Sequence, residues 1–117
     1  MDLNKIEHDL ITEIKLTKIQ AQMFLLITTK GKMNIDTIAK KLGISVTEAL
    51  NVAKKLVAIG GFINISETEY EAMHPRFTSV NMYRKMCERE NIKFQRNVTI
   101  DNIGTALENF YDGARTK

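Results

Sequence analysis

The sequence predicts a mostly α-helical protein with one small β-hairpin, built around a helix-turn-helix that has additional helices at both ends. Three observations favour this fold class. Apolar residues recur at helical spacing over most of the chain, and Gly43 separates two such stretches near its middle. The alternation that is typical of strands is confined to residues 62–65, for which residues 70–73 are the predicted partner. Residues 32–34 could add a minimal strand.

The composition limits the classes of protein to which the chain can belong. Its 117 residues, 44% of them apolar, are typical of one globular domain. No apolar run approaches the ~18 residues that span a bilayer, and the first ten residues do not resemble a signal peptide. The single cysteine, Cys87, cannot form an internal disulfide, so we expect a cytoplasmic protein without a membrane partner. The net charge of +3 is compatible with nucleic-acid binding but does not establish it.

Two helices are predicted before the helix-turn-helix. The first is amphipathic, because apolar residues recur at helical spacing with polar residues between them: Leu3, Ile6, Leu10, Ile11 and Ile14. Thr17 and Gln20 have the spacing of a capping box, in which each side chain accepts from the other residue's amide. A second helix is therefore predicted from there to about Lys30, with Gly31 at its end.

The most informative stretch, in the middle of the chain, predicts two helices joined by a tight turn. The first helix occupies residues 35–42, and Gly43 tolerates the left-handed backbone of such a turn. The second helix occupies residues 46–59, with Ser45 and Glu48 spaced as a second capping box. This arrangement is typical of a helix-turn-helix, whose second helix enters the major groove of DNA.

Two further helices are predicted after the hairpin. Pro75, the only proline, ends the second strand, and a helix is predicted at about residues 78–90. Thr99 would cap a last helix, at about residues 100–111, with Gly113 past its end.

Residues 16–85 resemble archaeal winged-helix transcriptional regulators, most closely the TrmB-like type and more loosely the MarR-like type. The matching stretches are LTKIQAQMFLLITTKGKMNIDTIAKKLGISVTEALNVAKKLVAIGGFI and the later YEAMHP followed by a helix. The resemblance implies a winged helix-turn-helix domain over residues 16–75, flanked by an N-terminal helix, 1–15, and C-terminal helices, 76–117. It also implies a transcriptional regulator that binds double-stranded DNA as a homodimer.

The polar arc of the second helix of the motif supplies the candidate DNA contacts. Asn51 can pair with adenine, Thr47 can contact a thymine methyl or a phosphate, and Lys54 can reach guanine or phosphate. The arc has no Arg, so we expect modest specificity or heavy reliance on phosphates. Further candidates, mainly for phosphate contacts, are Ser45, Lys55, Lys40, Lys41, Lys32 and Arg76. The alternative is an ordinary solvated surface, and the two lysines that end the first helix also suit its dipole.

The predicted hairpin tip departs from the family pattern. Glu67, Glu69 and Glu71 place three carboxylates where many winged helices carry Arg or Lys, and carboxylates repel DNA phosphates. Either this tip stays off the DNA or the domain binds something basic. A second hypothesis therefore stays open, in which the chain is a protein-interaction module of a transcription or chromosome assembly.

The apolar stripes of the two terminal helices are candidates for a dimer interface. These candidates are Leu3, Ile6, Leu10 and Ile14 in the first helix, and Ile103, Leu107, Phe110 and Tyr111 in the last. A two-fold dimer would place two recognition helices about 34 Å apart. The alternative is that both helices pack on their own subunit.

Motifs for catalysis or for cofactors are not found in the sequence. His8 and His74 are far apart, and with a single cysteine the chain has no spacing typical of a zinc site. Phosphate-binding and dinucleotide-binding glycine motifs are also missing. We therefore expect a protein that is not an enzyme and needs no metal or cofactor, and the sequence identifies no small-molecule effector.

Overall fold

The computed structural model describes residues 3–115, which form helices and short strands in the order that the sequence predicts. The elements are α1 (Leu3–Glu13), α2 (Lys18–Lys30), β1 (Met33–Asn34), α3 (Ile35–Leu42), α4 (Val46–Ala58), β2 (Phe62–Asn64), β3 (Glu69–Ala72), α5 (Pro75–Glu90) and α6 (Val98–Arg115). A mostly helical fold with a small antiparallel sheet is confirmed. No helix in the described range is long and apolar enough to cross a membrane.

The sheet has three strands: the two of the predicted hairpin, and β1, which lies within the minimal strand that the sequence allowed at residues 32–34. Its order is β1-β3-β2 with both pairs antiparallel, so β3 is the central strand. Met33 of β1 lies opposite Tyr70, and Phe62 of β2 lies opposite Ala72. The strand that leads into α3 and the outer strand of the hairpin are therefore both fixed to β3.

Local hydrogen bonds fix the starts of α2 and α4. The Thr17 N–H donates to Gln20 Oε1 at 2.9 Å, and the Gln20 N–H donates to Thr17 Oγ1 at 3.2 Å, which confirms the first capping box. At α4 the Glu48 N–H donates to Ser45 Oγ at 3.0 Å, but the return hydrogen bond from the Ser45 N–H to the Glu48 side chain is not formed, so only half of the second predicted capping box is present. Gly43 has φ of 69°, the left-handed conformation predicted for the turn between α3 and α4.

The two C-terminal helices begin earlier than predicted. Pro75 is the first residue of α5 and His74 is its cap, because a helix needs no amide donor at its first position. Asn97, not Thr99, caps α6: Asn97 Oδ1 accepts from the Thr99 N–H at 2.9 Å. Gly113 lies within α6 and not past its end, which corrects the predicted boundary.

One apolar core connects the helices to the sheet. Phe24 of α2 stacks on Phe62 of β2 with 6.2 Å between ring centroids, and Phe62 in turn contacts Tyr70 of β3 at 6.4 Å. These three rings are buried. The sheet is thus held against α2, and β2 also packs on α4.

The apolar stripes of the terminal helices belong to the same core. The five side chains at its centre are at most 4% exposed: Ile6, Leu10, Ile14, Ile103 and Leu107. They are covered because α1 and α6 pack on each other and on α2. This corrects their assignment to an exposed interface in favour of packing within one chain. Leu3 and Tyr111 are half-buried and Phe110 is exposed; homodimerisation itself stays a prediction.

Candidate nucleic-acid interface

The polar face of α4 is exposed as the helical periodicity predicts. Thr47, Asn51 and Lys54 are all exposed, at spacings of four and three that place them on one side of the helix. The opposite side carries the buried residues that pack on the core. Val46 is the exception, because it was predicted on the apolar arc and is 46% exposed at the first turn.

Ser45 acts first as a structural residue. Its hydroxyl is the acceptor for the Glu48 N–H, so it orients the first turn of α4. The residue is exposed, and a hydroxyl that accepts one hydrogen bond can still donate another. The position therefore allows contact with a ligand at the N-terminus of α4, where the helix dipole favours negative charge.

Five exposed lysines in the helix-turn-helix and just before it have no intramolecular partner among residues 3–115. Five lysines before and along α4 are exposed: Lys32, Lys40, Lys41, Lys54 and Lys55. Within residues 3–115 none of the five takes part in an ion pair or a side-chain hydrogen bond. Their charges are balanced only by solvent ions, which suits a surface that binds polyanions.

Arg76, by contrast, has a partner within the chain. Its Nε and Nη2 donate to Glu108 Oε1 at 3.1 and 2.9 Å, which joins the start of α5 to α6. His74 Nε2 lies 3.6 Å from the other oxygen of Glu108. The structure therefore favours the alternative role of Arg76, that of a surface residue in an intramolecular ion pair.

The three predicted tip carboxylates are separated in the structure. Only Glu67 lies in the loop between β2 and β3, where it is exposed, while Glu69 and Glu71 belong to β3. Glu71 accepts a hydrogen bond from Arg115 Nη1 at 3.0 Å, so part of its charge is compensated. The prediction of a concentrated acidic tip is thus wrong in position, because the hairpin turns earlier than the sequence suggested.

An open cleft of about 500 Å³ separates α4 from the hairpin. It is lined by Leu50, Lys54, Asn64, Ser66, Glu67 and Tyr70. Asn64 and Ser66 are polar groups that the sequence reasoning missed. The available signal was the strand-like alternation of Ile63, Asn64, Ile65 and Ser66, which predicts the two polar side chains on a common side.

Among residues 3–115 no cluster of three or more His, Cys, Asp or Glu could hold a metal ion. Cys87 is buried in α5, as expected for a structural cysteine. The chain matches none of the family models, curated proteins or solved structures with which it was compared.

Proposed function

We propose that this protein is a double-stranded DNA-binding transcriptional regulator. A winged helix-turn-helix made of α3, α4 and the hairpin β2–β3 would bind the DNA, with α4 as the recognition helix. The observation that carries the proposal is the exposed polar face of α4, the helix that carries two of the five unpaired lysines. With 13 residues, α4 is about 20 Å long, and the major groove admits an α-helix.

The polar face would read bases and the lysines would bind phosphates. Asn51 has the amide geometry that pairs with adenine, and Lys54 could reach guanine or a phosphate. Thr47, nearer the start of the helix, would contact a thymine methyl or a phosphate. Because this face has no Arg, most of the affinity would come from phosphate contacts and the sequence preference would be modest.

The hairpin would approach the DNA backbone from the side of the cleft. Asn64 and Ser66 can donate hydrogen bonds to phosphates, which offsets part of the repulsion from Glu67. Glu71 does not line the cleft and is paired with Arg115, so its charge adds little to this repulsion. The acidic residues then weaken DNA binding less than their number in the sequence suggests.

A homodimer is part of the proposal, because two copies would place their α4 helices in successive major grooves. Its interface must use side chains that one chain leaves exposed, since the apolar stripes of α1 and α6 are covered. Phe77 of α5 and Phe110 of α6 are exposed aromatic residues of this kind. A cytoplasmic location is also part of the proposal.

Fluorescence anisotropy of a labelled random duplex, titrated with the protein at about 50 and 200 mM salt, tests the proposal. If four lysines in each protomer of the proposed dimer contact phosphates, eight contacts in all, affinity should fall roughly 10⁴-fold over this range, because each contact releases counterions. Binding that is absent at the lower salt concentration would contradict DNA binding.

Substitutions on α4 test which surface binds. Asn51→Ala and Lys54→Ala should each weaken DNA binding several-fold without lowering the melting temperature, because both side chains are exposed. Lys93→Ala, in the loop between α5 and α6, is the matched control and should bind like wild type. If both α4 variants also bind like wild type, the assignment of α4 as recognition helix is wrong.

The second candidate function is a protein-interaction module. It is favoured by Ile63 and Ile65, which are 41% and 44% exposed beside the unpaired Glu67. A partner with an apolar surface and a basic residue would fit this hairpin. In that case Glu67→Lys should abolish partner capture and leave the fold intact, and capture that ignores the reversal would exclude this hypothesis.

A further inference from the structure

One acidic residue, Glu48, lies in the first turn of the helix that we propose for DNA recognition. It is exposed, directly follows Thr47, and precedes Asn51 by about one helical turn. In helix-turn-helix proteins the N-terminal residues of the recognition helix contact the edges of the bases. Glu48 therefore occupies a position from which a side chain can reach base edges in the major groove.

The carboxylate of Glu48 has no partner within the described part of the chain. The backbone N–H of Glu48 donates to Ser45 Oγ at 3.0 Å, but the Ser45 N–H makes no return hydrogen bond to the carboxylate. Among residues 3–115 the carboxylate also forms no ion pair. Lys54 and Lys55, the lysines of the same helix, lie beyond the spacing of three or four residues at which helical side chains pair. Both carboxylate oxygens are thus available to a ligand.

This negative charge is unfavourable on a surface that binds DNA unless a base compensates it. The two lysines of α4 attract phosphates, whereas phosphates repel a carboxylate. A repulsive group discriminates between ligands, because it weakens binding to all of them and only some can offset the loss. Glu48 should therefore lower the affinity for most sequences, and lower it least where a base presents a hydrogen-bond donor.

Cytosine is the base whose major-groove edge suits a carboxylate best. Its N4 amino group is a donor, whereas adenine presents its N6 amino group beside the acceptor N7, and guanine presents acceptors only. The helix α4 contains no Arg, the residue that most often reads guanine. A carboxylate in its first turn would read the same G·C pair from the cytosine.

We propose that Glu48 is a specificity-determining residue, which selects a cytosine by accepting a hydrogen bond from the N4 amino group. The inference rests on the proposed function, because it requires α4 to lie in the major groove. Asn51 lies about 4.5 Å further along the helix axis than Glu48, and successive base pairs are about 3.4 Å apart. The selected G·C pair should thus lie next to the adenine that Asn51 contacts, or one pair further away.

The test is a binding selection with the complete protein, at about 50 mM salt, from a library of duplexes that have a randomised central segment. Wild type should enrich cytosine at one position, and replacing that C·G pair in the selected duplex should weaken binding about tenfold. In Glu48→Gln the preference for cytosine should fall to about threefold or less and shift towards adenine, because an amide pairs with adenine.

Glu67→Gln is the matched control. It removes the same charge from an exposed residue that is also unpaired among residues 3–115, in the loop between β2 and β3. Both variants should bind the random duplex several-fold more tightly than wild type, because each loses a carboxylate that phosphates repel. Only Glu48→Gln should change the preferred base. A lower melting temperature of Glu48→Gln with an unchanged selected sequence would reduce its role to the helix dipole and overturn the inference.

The remaining outcomes separate this inference from the proposed function. If wild type binds duplexes but shows no preference for cytosine, or if Glu48→Gln selects the same site as wild type, the inference is wrong and DNA binding stands. If wild type binds no duplex of the library at about 50 mM salt, the proposed function is contradicted and the inference fails with it.

Discussion

Gly104 shows how a single residue sets the distance between two helices. A Cβ at this position would lie 2.8 Å from Arg76 Cα, so α6 can cross the start of α5 only without a side chain there. The neighbouring ion pair between Arg76 and Glu108 depends on the same close approach. The close crossing of α5 and α6 therefore accounts both for the ion pair of Arg76 and for the burial of Gly104.

We expect Gly104→Ala to lower the free energy of unfolding by about 1–3 kcal/mol, because the backbone of Arg76 must move away. Gly113→Ala, in the same helix with nothing within 4 Å of the added Cβ, should raise it by roughly 0.5–1 kcal/mol through higher helix propensity. Urea denaturation measures both. Equal effects of the two substitutions would show that the contact with α5 is unimportant.

Individual side chains were predictable where periodicity decides their environment. The exposure of Thr47, Asn51 and Lys54 follows from their spacing on α4 alone. The partner of Arg76 is 32 positions away in sequence, so it depends on how α6 crosses α5.

Capping hydrogen bonds fix where the helices begin, and the cap of α2 is the most complete one described above. Thr17→Ala removes the side-chain acceptor of this capping box, so we expect a loss of about 1 kcal/mol in the free energy of unfolding. Thr12→Ala, at an exposed helical position in α1, is the control and should change stability little, since Ala is the better helix former. Thermal unfolding followed by circular dichroism distinguishes them. A loss in both variants would contradict a specific role of the cap.

Element boundaries were predictable where the signal is local and unique. The caps at Thr17 and Ser45 are of this kind. At α6 two capping residues compete within three positions, and Asn97 is the cap because its Nδ2 also donates to Glu13 Oε1 of α1 at 3.0 Å. The pairing of β1 with β3 could not be predicted, because strands of two and four residues have too little pattern to specify a distant partner.

For the whole molecule, the unpaired lysines imply that salt acts in opposite directions on two properties: it should stabilise the fold and weaken the proposed DNA binding. Raising salt from about 0.05 to 0.5 M should raise the melting temperature by a few degrees, because the Debye length shortens and repulsion among these lysines is screened. The exposed ion pairs contribute little to stability, so screening them by salt lowers the melting temperature little. A thermal scan at several concentrations of sodium chloride tests this expectation. Lys40→Gln should reduce this rise in melting temperature. A melting temperature that falls as salt increases would contradict the expectation.

The central position of β3 also bears on how the protein behaves at high concentration. Both edges of the sheet are formed by its shortest strands, β1 with two residues and β2 with three. Such edges offer too few unpaired backbone groups to template strand addition by another molecule, even with Ile63 and Ile65 exposed on β2. Brevity thus protects this sheet from aggregation, and a hairpin lengthened by a few apolar residues would lose that protection.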